Sequence, residues 1–215
     1  MSDELVPFLW RDELDDTAEA ILTLYYPEVL QSPMQINPYT LARTLGLGIE
    51  FREITQDTSI FGRIYFEDDT EQGISEKTIV IDSNLEKIRP SGTINNTIIH
   101  ECLHWILHRY SVELEKGSAD IIAQISTTEE AVETDWMEWQ VHSLAPKIMM
   151  PKGMTQQFLK VKFAELKVTR QVKAMIDIIE DLIKATANYF GVTIIAAQKR
   201  LVEFGIEEAR GAFNY

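Results

Sequence analysis

The sequence predicts an α+β fold, in which a small β-sheet is followed by a mostly helical C-terminal part. Two observations carry this prediction: short strand-like runs occupy the chain between residues 49 and 81, and long segments with helical spacing follow from residue 93. The 215 residues, 45% of them hydrophobic, are enough for one globular domain with a sizeable core.

The first part of the chain is predicted to be helical. A helix from Asp12 to about Tyr26 has acidic residues in its first turn and Pro27 near its end. The dipeptide Asn37-Pro38 is typical of the N-cap and first position of a second, short helix that stops at Gly46. Residues 1–36 are therefore predicted to form an N-terminal helical segment.

Three strands are predicted next. They are Ile49 to Ile54, which alternates in polarity, Ile60 to Phe66, and the apolar run Thr78 to Ile81. A helix from about Thr93 to Tyr110 and another from about Glu129 to Met149, ended by Pro151, complete a predicted core over residues 37–151. Residues 152–215 are predicted to form a C-terminal helical region, in which Gly191 separates the last two helices.

The charge of the chain excludes some classes of partner. It has 34 acidic and 20 Lys or Arg residues, so its formal net charge is −14. Because non-specific nucleic-acid binding depends on neutralising phosphates, no direct contact with nucleic acid is expected, nor binding to an anionic membrane surface. The acidic start, the single Cys102 and the lack of a long apolar run lead us to expect a cytoplasmic protein.

The charge is unevenly spread along the chain. Residues 147–173 hold seven basic residues and one acidic residue, Glu165. Two interpretations remain open: solvated helix faces, or a basic surface that meets an acidic partner or an acidic part of the same chain.

The motif that predicts a metal site lies at residues 100–104, which read His-Glu-Cys-Leu-His. Two residues four apart on a helix lie about 40° apart around its axis, so His100 and His104 can converge on one ion. Two imidazoles at this spacing suit tetrahedral zinc. Glu101, about 100° further round than His100, borders the ion and suits the general base of metal-assisted hydrolysis.

The rest of this helix supports the motif. A helical projection gathers Thr97, His100, Glu101, His104 and His108 on one polar face. The wider opposite face is apolar and would pack on the core. A chance His-Glu-x-x-His would be expected in about one chain in a hundred of this composition and would have no reason to sort this way.

A catalytic zinc site needs a third protein ligand. Spacing alone does not choose among the acidic residues that follow, which are Glu113, Glu115, Asp120, Glu129, Glu130, Glu133, Asp135 and Glu138. Glu138 is favoured as the third ligand because its neighbours in the predicted helix are apolar. A carboxylate that points inward among them is expected to have a function.

Three further side chains are open to more than one interpretation. His142 lies four residues after Glu138 and could hydrogen-bond a ligand, serve as a fourth ligand or be an ordinary core histidine. His108 lies one turn beyond His104, which favours a structural role. Cys102 points away from the polar face and is expected to be a buried, inert thiol.

Three blocks in the same order resemble the ImmA/IrrE family of zinc metallopeptidases. Thr97-Ile-Ile-His-Glu-Cys-Leu-His-Trp-Ile-Leu-His108 is similar to the active-site helix of the family. The segment from Glu138 to Pro151 is similar to its second block, and this alignment places the metal-binding glutamate on Glu138. Phe190-Gly-Val-Thr and the residues up to Gly205 resemble its C-terminal helices.

The resemblance implies a zincin-like core over residues 37–151, with a small sheet beside the active-site helix. It implies Zn2+ on His100, His104 and Glu138, with Glu101 as general base. The expected partner is a protein substrate, such as a phage- or mobile-element-type repressor of transcription. Leu103, Gln140 and His142 depart from the family pattern, so the residues around the ligands are not predicted by it.

Two functions follow as expectations. The first is a zinc-dependent endopeptidase that cleaves or inactivates a regulatory protein. The alternative is a zinc-containing regulatory or binding module that engages a repressor without efficient proteolysis.

Overall fold

The computed structural model describes residue 6 and residues 8–54, 61–85, 91–114, 136–169 and 175–212. The described residues form seven α-helices, three strands and two short 3-10 helices. The predicted α+β class, with a small sheet and a helical C-terminal part, is confirmed. The division into segments 1–36, 37–151 and 152–215 stays a prediction.

The helices begin and end close to the predicted positions. They are α1 (Leu14–Tyr25), α2 (Pro38–Thr44), α3 (Ser91–Leu114), α4 (Trp136–Met149), α5 (Lys152–Thr169), α6 (Met175–Phe190) and α7 (Ile194–Glu203). The 3-10 helices are Pro27–Leu30 and Glu207–Gly211. The predicted start of the fourth helix at Glu129 lies outside the described residues.

The start of α2 follows from local chemistry, as the sequence predicts. The Asn37 side chain accepts hydrogen bonds from the backbone N–H groups of Tyr39 at 3.0 Å and Thr40 at 3.3 Å. Pro38 occupies the first turn, where no backbone donor is needed. The chain leaves this helix through Gly46 at φ 74°, which leads it directly into the first strand.

The sheet has three strands in the order β1-β3-β2, where β1 is Gly48–Arg52, β2 is Gly62–Tyr65 and β3 is Thr78–Asp82. The central strand β3 is buried along its whole length. It pairs in parallel with β1, Ile49 opposite Ile79, and antiparallel with β2, Ile64 opposite Ile79. This arrangement leaves β2 at one edge of the sheet, beside the helix with the His-Glu-x-x-His motif.

Helix α3 lies at the centre of the fold, since it packs against the sheet, α2 and α4. Most of its apolar face is buried against the core, with Ile98, Ile99 and Leu103 at 0% exposure, while Ile106 and Leu107 are half-buried. Its polar face is also buried, because α4 and β2 cover it: His100, for example, is 0% exposed. The polar side chains of this face are therefore held inside the protein, where each one needs a partner.

A buried arginine joins the N-terminal helix to the C-terminal part. Arg200 of α7 is 1% exposed and donates to the backbone carbonyl of Met150, at the end of α4. Its guanidinium also donates to Asp15 of α1 and, at 2.7 Å, to Glu203. Lys147 of α4 donates to the same Glu203 carboxylate at 2.7 Å.

The basic residues of segment 147–173 thus have different surroundings. Lys147 is buried and paired with Glu203, and Lys162 pairs with Glu165 at 3.0 Å. Lys147 meets an acidic part of the same chain, in line with one of the two open interpretations. None of the described helices is long and apolar enough to span a lipid bilayer.

Candidate metal centre

Helix α3 places the two histidines of the motif side by side. His100 and His104 lie one turn apart, and their Nε2 atoms are separated by 3.1 Å. Both side chains are buried, at 0% and 1% exposure. Two imidazole nitrogens therefore point to the same place inside the protein, as the spacing predicts.

Helix α4 adds a carboxylate to this pair. Glu138 lies in its first turn, with Oε2 3.2 Å from His100 Nε2 and Oε1 3.0 Å from His104 Nε2. One donor atom from each of these three residues lies within 4.8 Å of the others. His100, His104 and Glu138, which we call the HHE group, could hold a metal ion.

The protonation states of His100 and Glu138 suit metal binding. Burial lowers the pKa of His100 to about 3, although contact with Glu138 acts in the opposite direction. Burial would raise the pKa of Glu138, but its contacts with both histidines outweigh this and hold it well below its ordinary value. His100 is therefore neutral and Glu138 charged near pH 7, which are the forms that bind metals.

A chain of hydrogen bonds starts at His104 and runs away from the HHE group. His104 Nδ1 lies 3.0 Å from His108 Nδ1, and His108 Nε2 lies 2.9 Å from Gln140 Oε1. His108 and Gln140 are both fully buried, and burial lowers the pKa of His108 to about 4. His108 is accordingly a neutral imidazole with a single N–H group.

The direction of these hydrogen bonds follows from Gln140. Its Oε1 atom only accepts, so the N–H of His108 must be on Nε2, and His108 Nδ1 is an acceptor. His104 Nδ1 then donates to it, so His104 Nε2 is the ring nitrogen that faces the Glu138 carboxylate at 3.0 Å. Either a proton or a divalent metal between these two atoms satisfies the contact, and the third donor, His100, makes the group one that could hold a metal ion.

Glu101 follows His100 on α3 and is also fully buried. Among the described residues, neither of its carboxylate oxygens has a hydrogen-bond partner of ordinary geometry. Burial and the negative charge of Glu138 raise its pKa well above the ordinary value, whereas the main chain of Ile64 and the charge of Arg63 act to lower it. Because an unpaired buried carboxyl group is costly, this group calls for a functional explanation.

Strand β2 makes room for Glu101 with a glycine. A Cβ atom on Gly62 would lie 3.3 Å from Glu101 Oε1 and 2.5 Å from Thr97 Cγ2. Only a residue without a side chain therefore allows the edge strand to approach α3 at this point. Gly62 is not predicted from the sequence, since nothing in the sequence says which strand residue faces the motif.

His142 is one turn after Glu138 on α4 and lies at the border of the HHE group. Its Nε2 atom is 3.7 Å from Glu138 Oε2, and its ring meets the ring of His100 edge-on, with 4.8 Å between centroids. Its side chain is 34% exposed, in contrast to the fully buried His100. It is not one of the three clustered donors, and it lies between them and solvent.

The remaining candidate residues are Cys102 and the alternative acidic ligands. Cys102 is fully buried in the core, where burial and then the charge of Glu101 raise the pKa of its thiol. The alternative acidic ligands Glu115, Asp120, Glu129, Glu130, Glu133 and Asp135, and the side chain of Glu113, lie outside the described residues. Within the described part of the chain, the HHE group is the cluster that forms.

The role of Gln140 is not predicted from the sequence. Residues two apart on a helix lie about 200° apart, so periodicity gives no reason to place Gln140 near the same histidines as Glu138.

A comparison with models of protein families finds none that matches this chain. A search of curated proteins finds no match either. The resemblance to the ImmA/IrrE family therefore stays a prediction from the three sequence blocks.

Proposed function

We propose that this protein is a zinc-dependent endopeptidase that cleaves a regulatory protein. The observation that carries the proposal is the convergence of His100 Nε2 and His104 Nε2 on the Glu138 carboxylate, at 3.2 and 3.0 Å. Beside this group lies Glu101, a buried carboxyl group without a hydrogen-bond partner in the described part of the chain.

Zinc is the metal that this donor set favours. Two histidines and one glutamate are a known ligand set of catalytic zinc sites, which keep a further position open. When bound, zinc lowers the pKa of water and polarises a carbonyl group. The proposal assigns His100, His104 and Glu138 to holding the ion.

Glu101 is proposed to move the proton. Its carboxylate takes a proton from the attacking water and passes it to the nitrogen of the leaving amine. In the metal-free protein, burial and the charge of Glu138 favour the protonated acid. A divalent cation in the HHE group would favour the carboxylate form, as the charge of Arg63 already does.

The nature of the substrate is proposed from the resemblance alone. It suggests a phage- or mobile-element-type repressor of transcription, encountered in the cytoplasm. No direct contact with nucleic acid is part of this proposal, in keeping with the net charge of −14.

The first experiment measures zinc and cleavage together. Purified protein is dialysed, its zinc is counted by elemental analysis, and it is mixed with the regulator encoded nearest to its gene. We expect one zinc per chain and metal-dependent fragments. Glu101→Gln should keep the zinc and lose cleavage, while Glu19→Gln, at an exposed position of α1, should change neither. Full cleavage by Glu101→Gln would contradict the role of this residue.

A second candidate is a zinc-containing regulatory module without efficient proteolysis. The burial of Glu101 favours it, because a glutamic acid that stays protonated cannot act as a base. The same mixture distinguishes the two functions. A stable complex with an uncleaved regulator would support the module, whereas fragments that disappear with a chelator would support the peptidase.

A further inference from the structure

A cavity of about 550 Å³ lies beside the HHE group. His142 belongs to both places, since its side chain lines the cavity and its Nε2 atom is 3.7 Å from Glu138 Oε2. The side chain of His100 is 0% exposed, whereas those of Glu138 and His142 are 13% and 34% exposed. His142 is thus the residue that joins the cavity to the HHE group.

Part of the charge around this cavity is already neutralised. Arg200 is held by Asp15 and Glu203, and Lys147 is held by the same Glu203. These two cations and two anions line the cavity and balance one another. They form the link between α1, α4 and α7, so they are not free to bind a ligand.

Three other charged residues line the cavity, and within the described part of the chain they form no ion pair: Arg11, Asp12 and Lys199. They are exposed and together carry one net positive charge. Lys199 lines the cavity together with His142, the residue that borders the HHE group. Arg11 lies next to Trp139, with its guanidinium carbon 5.8 Å from the ring centroid.

We propose that this cavity binds an acidic side chain, Asp or Glu, of the polypeptide substrate, with Lys199 and Arg11 as the cations that receive its carboxylate. The inference rests on the proposed function, since it concerns the residue next to the bond that is cleaved. Apolar lining from Leu14, Trp139 and Pro146 accommodates the methylene groups of such a side chain. The net charge of −14 repels acidic peptides in general, so a preference for them has to come from this cavity.

The test uses three small hydroxamates that differ only in one side chain, that of Glu, Gln or Lys. The hydroxamate group binds to zinc, and calorimetry with the zinc-loaded protein measures affinity without turnover. We expect the Glu compound to bind about tenfold more tightly than the Gln compound, with the Lys compound weakest. Lys199→Glu should reverse this order, and Lys199→Gln should reduce the differences.

The test also needs a control variant and a statement of the outcomes that would contradict the proposal. Lys160→Glu makes the same charge change at an exposed position of α5 outside the cavity and should leave the order unchanged. Equal affinities for the three compounds, or an order that Lys199→Glu does not alter, would overturn the acidic subsite and leave the zinc site intact. Failure of all three compounds to bind to a zinc-loaded protein would refute both proposals.

Discussion

His104 and His108 face each other through their Nδ1 atoms, 3.0 Å apart, and only one of the two can carry the hydrogen. Gln140 decides which, because its carbonyl oxygen accepts from His108 Nε2 at 2.9 Å. His108 thus accepts the hydrogen of His104 Nδ1, so that His104 Nε2 is the nitrogen that faces His100 and Glu138. A histidine for which the sequence favours a structural role is in this way connected to the candidate metal centre.

We predict that His108→Leu weakens zinc binding about 10- to 100-fold, as is usual when the hydrogen-bond partner of a metal ligand is lost. The variant leaves His104 Nδ1 without an acceptor, so the tautomer that binds zinc is no longer enforced. Competition with a chromophoric chelator measures the affinity. Nitrogen chemical shifts of the His104 ring, measured by NMR, report the tautomer itself.

Gln140 provides the matched pair of controls for this prediction. Gln140→Glu keeps an acceptor for His108 and should bind zinc within a few-fold of the unchanged protein. Gln140→Leu removes the acceptor and should weaken binding as His108→Leu does. Equal zinc affinity in all the variants would show that the hydrogen bonds of His108 do not orient the ligand.

A second prediction concerns Gly62. Gly62→Ala places a methyl group 2.5 Å from Thr97 Cγ2 and 3.3 Å from Glu101 Oε1, and all three residues are buried. We expect a loss of about 1–3 kcal/mol in the free energy of unfolding, measured by chemical denaturation. The proposed cleavage should slow as well, because Glu101 is displaced.

The Gly62→Ala prediction has a rescue and a control. Adding Thr97→Ser removes the methyl group that clashes and keeps the hydroxyl that donates to Thr93 at 3.0 Å, so most of the lost stability should return. Gly153→Ala, at a helical position with no atom within 4 Å, should be neutral or stabilising by about 0.5–1 kcal/mol. A double variant no more stable than Gly62→Ala would mean that the clash lies elsewhere.

The sequence predicts those parts of the fold and the site that depend on local spacing. His100 and His104 share a turn because they are four residues apart, and α2 starts at Asn37-Pro38 because both residues favour a helix start. Glu138 required a further argument, from the apolar character of its neighbours, and the structure places it 3.0 Å from His104. In these cases short-range geometry is sufficient.

Contacts between elements that are distant in the sequence cannot be predicted from local spacing. The pairing of Gln140 with His108 joins residues 32 positions apart, and it depends on how α4 crosses α3. The approach of Gly62 to Glu101 depends on the strand order, which places β2 at the edge beside α3. The burial of the polar face of α3 follows from the same packing, so periodicity alone predicts which residues share this face but not what covers it.

A third prediction concerns the single cysteine. Burial, followed by the negative charge of Glu101, raises the pKa of the Cys102 thiol, and its side chain has no exposure. The native protein should therefore react with iodoacetamide at least about a hundredfold more slowly than the unfolded chain. Mass spectrometry of the alkylated protein measures both rates. Removal of zinc should leave the native rate slow, and rapid labelling on chelation would place Cys102 at the metal centre.

The last prediction concerns Asp15, which holds Arg200 from the first turn of α1. Burial would raise the pKa of Asp15, but hydrogen bonding and charge from Arg200 outweigh this and lower it below its ordinary value of 3.8. The folded state therefore binds a proton less readily than the unfolded chain. The resulting stabilisation is present above about pH 4 and is lost as the pH falls through the folded-state pKa.

Asp15→Asn should lower the free energy of unfolding by about 1–3 kcal/mol at pH 7. Asp16→Asn is the matched control, because Asp16 lies in the same first turn, shares the helix dipole and is exposed. Denaturation of the three proteins between pH 7 and pH 3 should give a deficit for Asp15→Asn that shrinks on acidification, since the unchanged protein loses this interaction there. A deficit equal to that of Asp16→Asn, or one independent of pH, would mean that Arg200 is held by Glu203 and Met150 alone.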